Sequence, residues 1–196
     1  MLLAPTMPAA PTVAHSTPNH AVASANTKVA TQTLSVARSG SYCNPNRVDC
    51  PPSISFREFR AVLLTHHTRL SSADVAFAWQ QGVSTGIDPA YFLAFACKES
   101  LCGGDNSPVT VGCRNIGDMV TGDSNSPCPA NPRYRSYASY HAAIADWYSH
   151  VRRNYVDVGI VYIWQVVPRY YGNVNKEYLN EVTTWVAEWR REDRNR

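Results

Sequence analysis

The chain has 196 residues, a formal net charge of +3, 44% hydrophobic residues and 17% charged ones. That length holds one ordinary domain plus a tail, and the near-balanced charge excludes the strong basic field of a nucleic-acid-binding surface. Arg190, Arg191, Arg194 and Arg196 form a basic end, but Glu188, Glu192 and Asp193 interleave with them, which reads as a solvated helix end or a weakly anion-attracting one.

Residues 1–42 are dominated by Ala, Pro, Thr, Ser and Val without a helical or strand period, the composition of a low-complexity disordered stalk or linker. Met1-Leu2-Leu3-Ala4 is too short and lacks the basic flank of a complete signal peptide, leaving a trimmed precursor or a misassigned start as readings. No stretch is apolar and long enough for a membrane span. Residues 43–196 form the expected domain. From Pro51 onward about 145 residues remain, enough to bury roughly two-thirds of the unfolded surface.

The period from Ile54 to Leu70 predicts a helix with Phe56, Phe59, Val62 and Leu63 on its inner face. Ser71-Ser72 caps a second helix that buries Val75, Ala78, Trp79 and Gly82. A third begins where Asp88 can cap and Pro89 suits the first turn, and ends before Gly103-Gly104. Gly103 to Pro132 is rich in Gly, Asn, Asp, Ser and Pro and predicts a long loop, with any strand confined to a small ribbon. Helix resumes near Tyr140, with Ile144, Trp147, Tyr148, Val151 and Tyr155 on one face. Val161 to Val167 predicts a short helix stopped by Pro168. The last helix, Lys176 to Arg191, turns Leu179, Val182, Val186 and Trp189 inward.

Six cysteines make an even set without zinc spacing, which predicts disulfides and export and no metal. Fifteen connectivities are open. Cys43–Cys50 and Cys113–Cys128 are plausible local loops, while Cys97–Cys102 requires the third helix to break between them. The 11 tyrosines and 5 tryptophans lie almost entirely in the domain and fit either a carbohydrate cleft or a Tyr-rich core.

Glu99 stands at the end of the apolar third helix. There the helix dipole repels a negative charge and an apolar wall desolvates it, so both effects favour the protonated carboxyl that a general acid needs. The bland alternative is a solvated glutamate finishing an amphipathic helix. Ile87-Asp88-Pro89-Ala90 through Glu99-Ser100, with Gly103 beyond, resembles the catalytic helix of the bacterial glucosaminidase family. These are peptidoglycan-cleaving β-N-acetylglucosaminidases, and the resemblance spans Pro52 to Arg191. It implies a mainly α, lysozyme-like single domain with a long disulfide-bearing loop, and Glu99 as catalytic acid.

Three further segments carry the resemblance. Asn115-Ile116 matches a Gly-Asn-Ile turn, with Arg114 in place of the glycine. Asn115 is then expected to contact the sugar, or else to close its own loop. Tyr134-Arg135-Ser136-Tyr137 and Asp146-Trp147-Tyr148 resemble the aromatic segment and helix that follow. Tyr137 is implied to stack on a sugar ring, while Asp146 and Trp147 hold the helix. Pro168-Arg169-Tyr170, followed by Asn173, Asn175 and Tyr178, resembles the Tyr-Ala-Pro segment, with Tyr171-Gly172 replacing Ala-Pro. Tyr170 is implied to line the site beside the acid.

The expected activity is exported cleavage of β-1,4 bonds of peptidoglycan at N-acetylglucosamine by a monomer, with no cofactor, nucleic-acid partner or membrane span. A lytic transglycosylase on the same fold and a non-catalytic glycan-binding module are the alternatives. Asp105, Asp118 and Asp123 are available as a second carboxylate, but their spacing selects none. The favoured scheme dispenses with one: the substrate's acetamido oxygen attacks the anomeric carbon, oriented by Tyr170.

Overall fold

The computed structural model describes residues 43–122 and 126–196, so the stalk and Asp123 lie outside the described residues. The chain runs α1 (Phe56–Thr65), α2 (Ser72–Thr85), α3 (Pro89–Ser100), α4 (Pro108–Gly112), β1 (Pro127–Cys128), β2 (Asn131–Arg135), α5 (Tyr140–Asn154), α6 (Ile163–Tyr171) and α7 (Lys176–Arg194). It is a mainly α protein whose described strands form one antiparallel ribbon inside the long loop. Among the described residues no helix is long and apolar enough to cross a membrane.

Helix starts follow the local chemistry. Ser55, Ser71, Ser139 and Asn175 each accept a backbone N–H of the first turn. Gly86, in the left-handed region, ends α2. Helix α3 is the axle of the molecule and packs against α1, α2 and α7. Residues Ala90 through Ala96 are all buried, so this helix has no solvent stripe. Phe92 packs with its ring centroid 5.2 Å from Trp147 and 5.1 Å from Tyr148, which joins α3 to α5. Each such ring contributes about 1.5–3 kcal/mol by leaving water. Gly82 lets α2 approach closely, since a Cβ there would stand 2.6 Å from Pro89.

Asp88 does more than cap α3. Its side chain is 0% exposed and accepts from the backbone N–H groups of Ala90 and Ser53, both at 3.1 Å. Arg190 of α7 pairs with it at 3.0 Å. The same guanidinium donates to Ser53 Oγ and the Pro45 carbonyl, both at 2.7 Å. Arg190 is therefore an internal tie and not part of a solvated basic end.

Pro168 does not stop α6, which continues to Tyr171. A proline at that position removes one bond, to the Trp164 carbonyl in the exposed first turn. Five residues of the predicted loop form α4, where Ser107 caps and Pro108 occupies the first turn. Phe56, expected inside, is largely exposed, and Trp79 is half-buried.

The disulfides pair Cys43–Cys50, Cys97–Cys102 and Cys113–Cys128. The break needed by the second is present: α3 ends at Ser100, and Leu101 and Cys102 both take positive φ, 49° and 59°.

Candidate active site

Glu99 sits in the last turn of α3, half-buried beside Tyr178 of α7. The Tyr178 hydroxyl donates to Glu99 Oε1 at 2.5 Å. Burial pushes the Glu99 carboxyl up from its ordinary value, while the Tyr178 bond and the Lys98 charge pull it partly back. Tyr178 is itself buried, packed against Phe95 at 5.7 Å and Tyr171 at 5.3 Å. Lys98 lies over its ring at 5.7 Å and pairs with Glu181 on the next turn of α7. The acid is thus held by a phenol whose own position is fixed on several sides.

Ser100 explains why a serine follows the acid. Its buried Oγ lies 2.8 Å from the Ala96 carbonyl and 2.9 Å from that of Ile116, and accepts from Gly103 N–H at 3.0 Å. One hydroxyl therefore joins the end of α3 to the loop that carries residues 115–119. In that loop Asn115 is fully buried. Its amide donates to the carbonyls of Met119 at 2.8 Å and Arg135 at 3.1 Å, and its Oδ1 accepts Met119 N–H at 2.8 Å. The loop-closing role is the one this geometry displays.

Asp118 follows in the same turn, half-buried, with φ of +46°. Burial first, then the charges of Glu99 and Asp105, raise its carboxyl to about 7, against a smaller opposing effect of Arg133. The two raised carboxyls of Glu99 and Asp118 thus share one electrostatic environment. Gly117 lets the loop lie this close, because a Cβ there would stand 2.7 Å from Trp147 and 3.2 Å from the Tyr170 hydroxyl.

Tyr170 lies beneath this loop. Its hydroxyl donates to the Gly117 carbonyl and accepts from Trp147 Nε1 at 3.2 Å, and its ring meets Phe95 edge-on at 4.6 Å. Burial and the nearby Glu99 charge raise its pKa well above the ordinary phenol value, so it stays protonated. Its one hydroxyl proton is thus occupied by the loop backbone. Tyr137 is likewise engaged: its hydroxyl donates to Asp146 at 2.6 Å, and Arg135 pairs with the same carboxylate. The aromatic ring open to solvent near the acid is instead Tyr171, 48% exposed and packed on Tyr178.

The structure therefore brings Glu99, Asp118 and Tyr170 together and leaves Asn115 and Tyr137 in supporting positions. Tyr178 is the residue that sequence reasoning named without giving it a role. A signal was present: Tyr178 shares the inward stripe of Val182, Val186 and Trp189, and a phenol on a buried stripe needs a polar partner.

No family model and no curated protein matches the chain. Solved structures do match, among them a crystal structure of a catalytic mutant of S. aureus autolysin E in complex with the disaccharide NAG-NAM. That structure is similar with a TM-score of 0.52 and 11% sequence identity, over 74% of this chain and 71% of that one. The shared architecture is the mainly α, lysozyme-like fold.

Proposed function

We propose that this chain is a glycoside hydrolase that cuts β-1,4 bonds of peptidoglycan at N-acetylglucosamine, with Glu99 as general acid. The observation that carries the reading is the half-buried Glu99 carboxyl, raised above its ordinary value and oriented by Tyr178 on a glucosaminidase fold. A carboxyl in that state holds a proton to higher pH than a solvated glutamate and can deliver it to the glycosidic oxygen as the bond breaks.

Asp118 is the second carboxyl of the proposed mechanism. Three loop aspartates were equivalent in the sequence, and among the described residues the proton affinity of Asp118 responds to Glu99. With a value of about 7 it is poised to accept a proton from water at the anomeric carbon near neutral pH. The acetamido scheme oriented by Tyr170 loses ground on one observation, since the Tyr170 hydroxyl already donates to Gly117. Tyr170 is then a positioning residue for the Asp118 loop, and Tyr171 offers the ring face for sugar stacking in place of Tyr137. The reading includes export, which the three disulfides support because such bonds persist in oxidising compartments.

The experiment is digestion of purified cell walls with wild type and Glu99→Gln, followed by analysis of the new reducing ends. Wild type is expected to release free N-acetylglucosamine ends, and Glu99→Gln to lose about 10²–10⁴-fold in rate while keeping its fold. A 1,6-anhydro-muramyl end would identify the transglycosylase chemistry instead. A Glu99→Gln variant with more than about a tenth of the wild-type rate would remove Glu99 from the role of acid.

A further inference from the structure

A second site lies away from the carboxyl pair, between α1 and the last turns of α7. Glu192 there is 14 positions beyond Tyr178, about 20 Å along the helix. A pocket of about 130 Å³ is lined by Glu58, Val62, His66, Trp189, Glu192 and Arg196. Glu58 is its unusual member, a carboxylate whose side chain is 1% exposed.

The sequence explains what Glu58 would ordinarily do. Ser55-Phe56-Arg57-Glu58 has the spacing of a capping box, in which the glutamate reaches back to the N–H of the capping serine. Only half of that box forms. Ser55 Oγ accepts Glu58 N–H at 3.2 Å, but Ser55 N–H goes to Asp193 Oδ2 at 2.8 Å, and the Ser55 hydroxyl also donates to Asp193. Asp193 of α7 thus takes the place of the glutamate and releases the Glu58 carboxylate into the pocket.

There Glu58 Oε1 has no hydrogen-bond partner among the described residues. Arg196 Nη1 lies 2.8 Å from Oε2, but without the alignment of a hydrogen bond, and Nη2 is 3.9 Å from Glu192 Oε2. Arg196 follows the end of α7 and is itself half-exposed. The pocket thus pairs two carboxylates with an indole wall, and its guanidinium is borne by a residue outside any helix. An unpaired buried carboxylate oxygen costs free energy that folding alone does not require here, because Asp193 already satisfies the cap.

We propose that this pocket binds an organic monocation on an aliphatic stem, the ammonium of a lysine-type side chain in a peptide, and that Arg196 is a tethered occupant which the ligand displaces. The two carboxylates supply the counter-charge, while Trp189 and Val62 cover the stem. This site is independent of the Glu99 reading.

The test is NMR titration with Nα-acetyl-lysine methylamide, with its Nε-acetylated, uncharged analogue as control. Arg196→Ala removes the internal competitor, whose effective concentration is in the millimolar range or above. It is expected to bind the cation at least about tenfold more tightly than wild type, with shifts centred on the Trp189 indole N–H and His66. The uncharged analogue should give no saturable shift, and Glu58→Gln in the Arg196→Ala background should abolish binding. Glu192→Gln in that background is the second variant, at an exposed residue that leaves folding intact, and should weaken binding. The proposal is overturned if Arg196→Ala binds no more tightly than wild type, or if the uncharged analogue binds equally. It is also overturned if both double variants bind as Arg196→Ala does.

Discussion

In the proposed mechanism two carboxyls and one phenol set the chemistry, and each can be questioned separately. For Asp118 the sign of the pH dependence follows from its raised carboxyl. The folded chain holds a proton there up to about pH 7, whereas the unfolded chain releases it near the ordinary value of 3.8. Ionisation therefore weakens the fold as pH rises through that window. Asp118→Asn removes the charge and keeps a residue type that tolerates positive φ. Thermal melts should show a higher Tm than wild type above pH 7 and the same Tm below about pH 4, while wall cleavage falls about 10²–10⁴-fold. A variant that is stabilised yet fully active would show that this carboxyl is strained for some purpose other than cleavage. Tyr178→Phe acts on the other carboxyl. Loss of its bond removes an influence that lowers the Glu99 pKa, so the alkaline limb of the pH–rate profile should move to higher pH at a reduced plateau. Tyr170→Phe should leave that limb in place, and an unmoved limb in Tyr178→Phe would separate the phenol from the acid. The placement of Glu99 at the end of α3 was legible in the sequence because a cap, a proline and a pair of glycines fix both ends of that helix. The burial of Asp118 was not, because it depends on which turn of the loop the fold presses inward.

At the scale of elements, the helices were legible wherever their inner faces carried a clear period, as in α5. Pro168 misled because α6 runs on past it to Tyr171, the proline leaving unmade only the bond to the carbonyl of Trp164, whose side chain is exposed. The short α4 escaped because five residues carry no period, although Ser107-Pro108 is a sound start signal. The loop between α3 and α5 was read correctly as long and cysteine-bearing, but side chains add bonds that its composition does not announce. Ser100 and Tyr170 each donate to a loop carbonyl, and Asn115 shares the Met119 carbonyl with Arg135 N–H of β2. Gly117 is an exacting position in that arrangement. Gly117→Ala should push the loop away from Trp147 and Tyr170 and displace Asp118 with it. We expect a loss of cleavage greater than the loss of stability, read by comparing wall-lysis rates with urea midpoints. Equal losses would indicate that the loop is only part of the packing.

For the whole molecule, the likeness to autolysin E at 11% identity shows how little of this fold depends on particular side chains. In this chain a buried α3, the helices around it and a loop pinned over its end make up the fold. The disulfides Cys97–Cys102 and Cys113–Cys128 bracket that end and that loop, so covalent constraint is concentrated around the proposed site. A bridge of this kind contributes about 2–4 kcal/mol, mostly through the unfolded chain.

The tie between Asp88 and Arg190 bears on how such a chain is made. Synthesis delivers residue 88 long before residue 190, and until the latter emerges the carboxylate at the start of α3 has no counter-charge. Removing one partner of a buried pair costs about 3–5 kcal/mol, a large share of a domain's total stability. A nascent chain that has reached α6 can form local helices but cannot settle its axle. Glu99, at the far end of that axle, is therefore settled in place only after residue 190 has emerged.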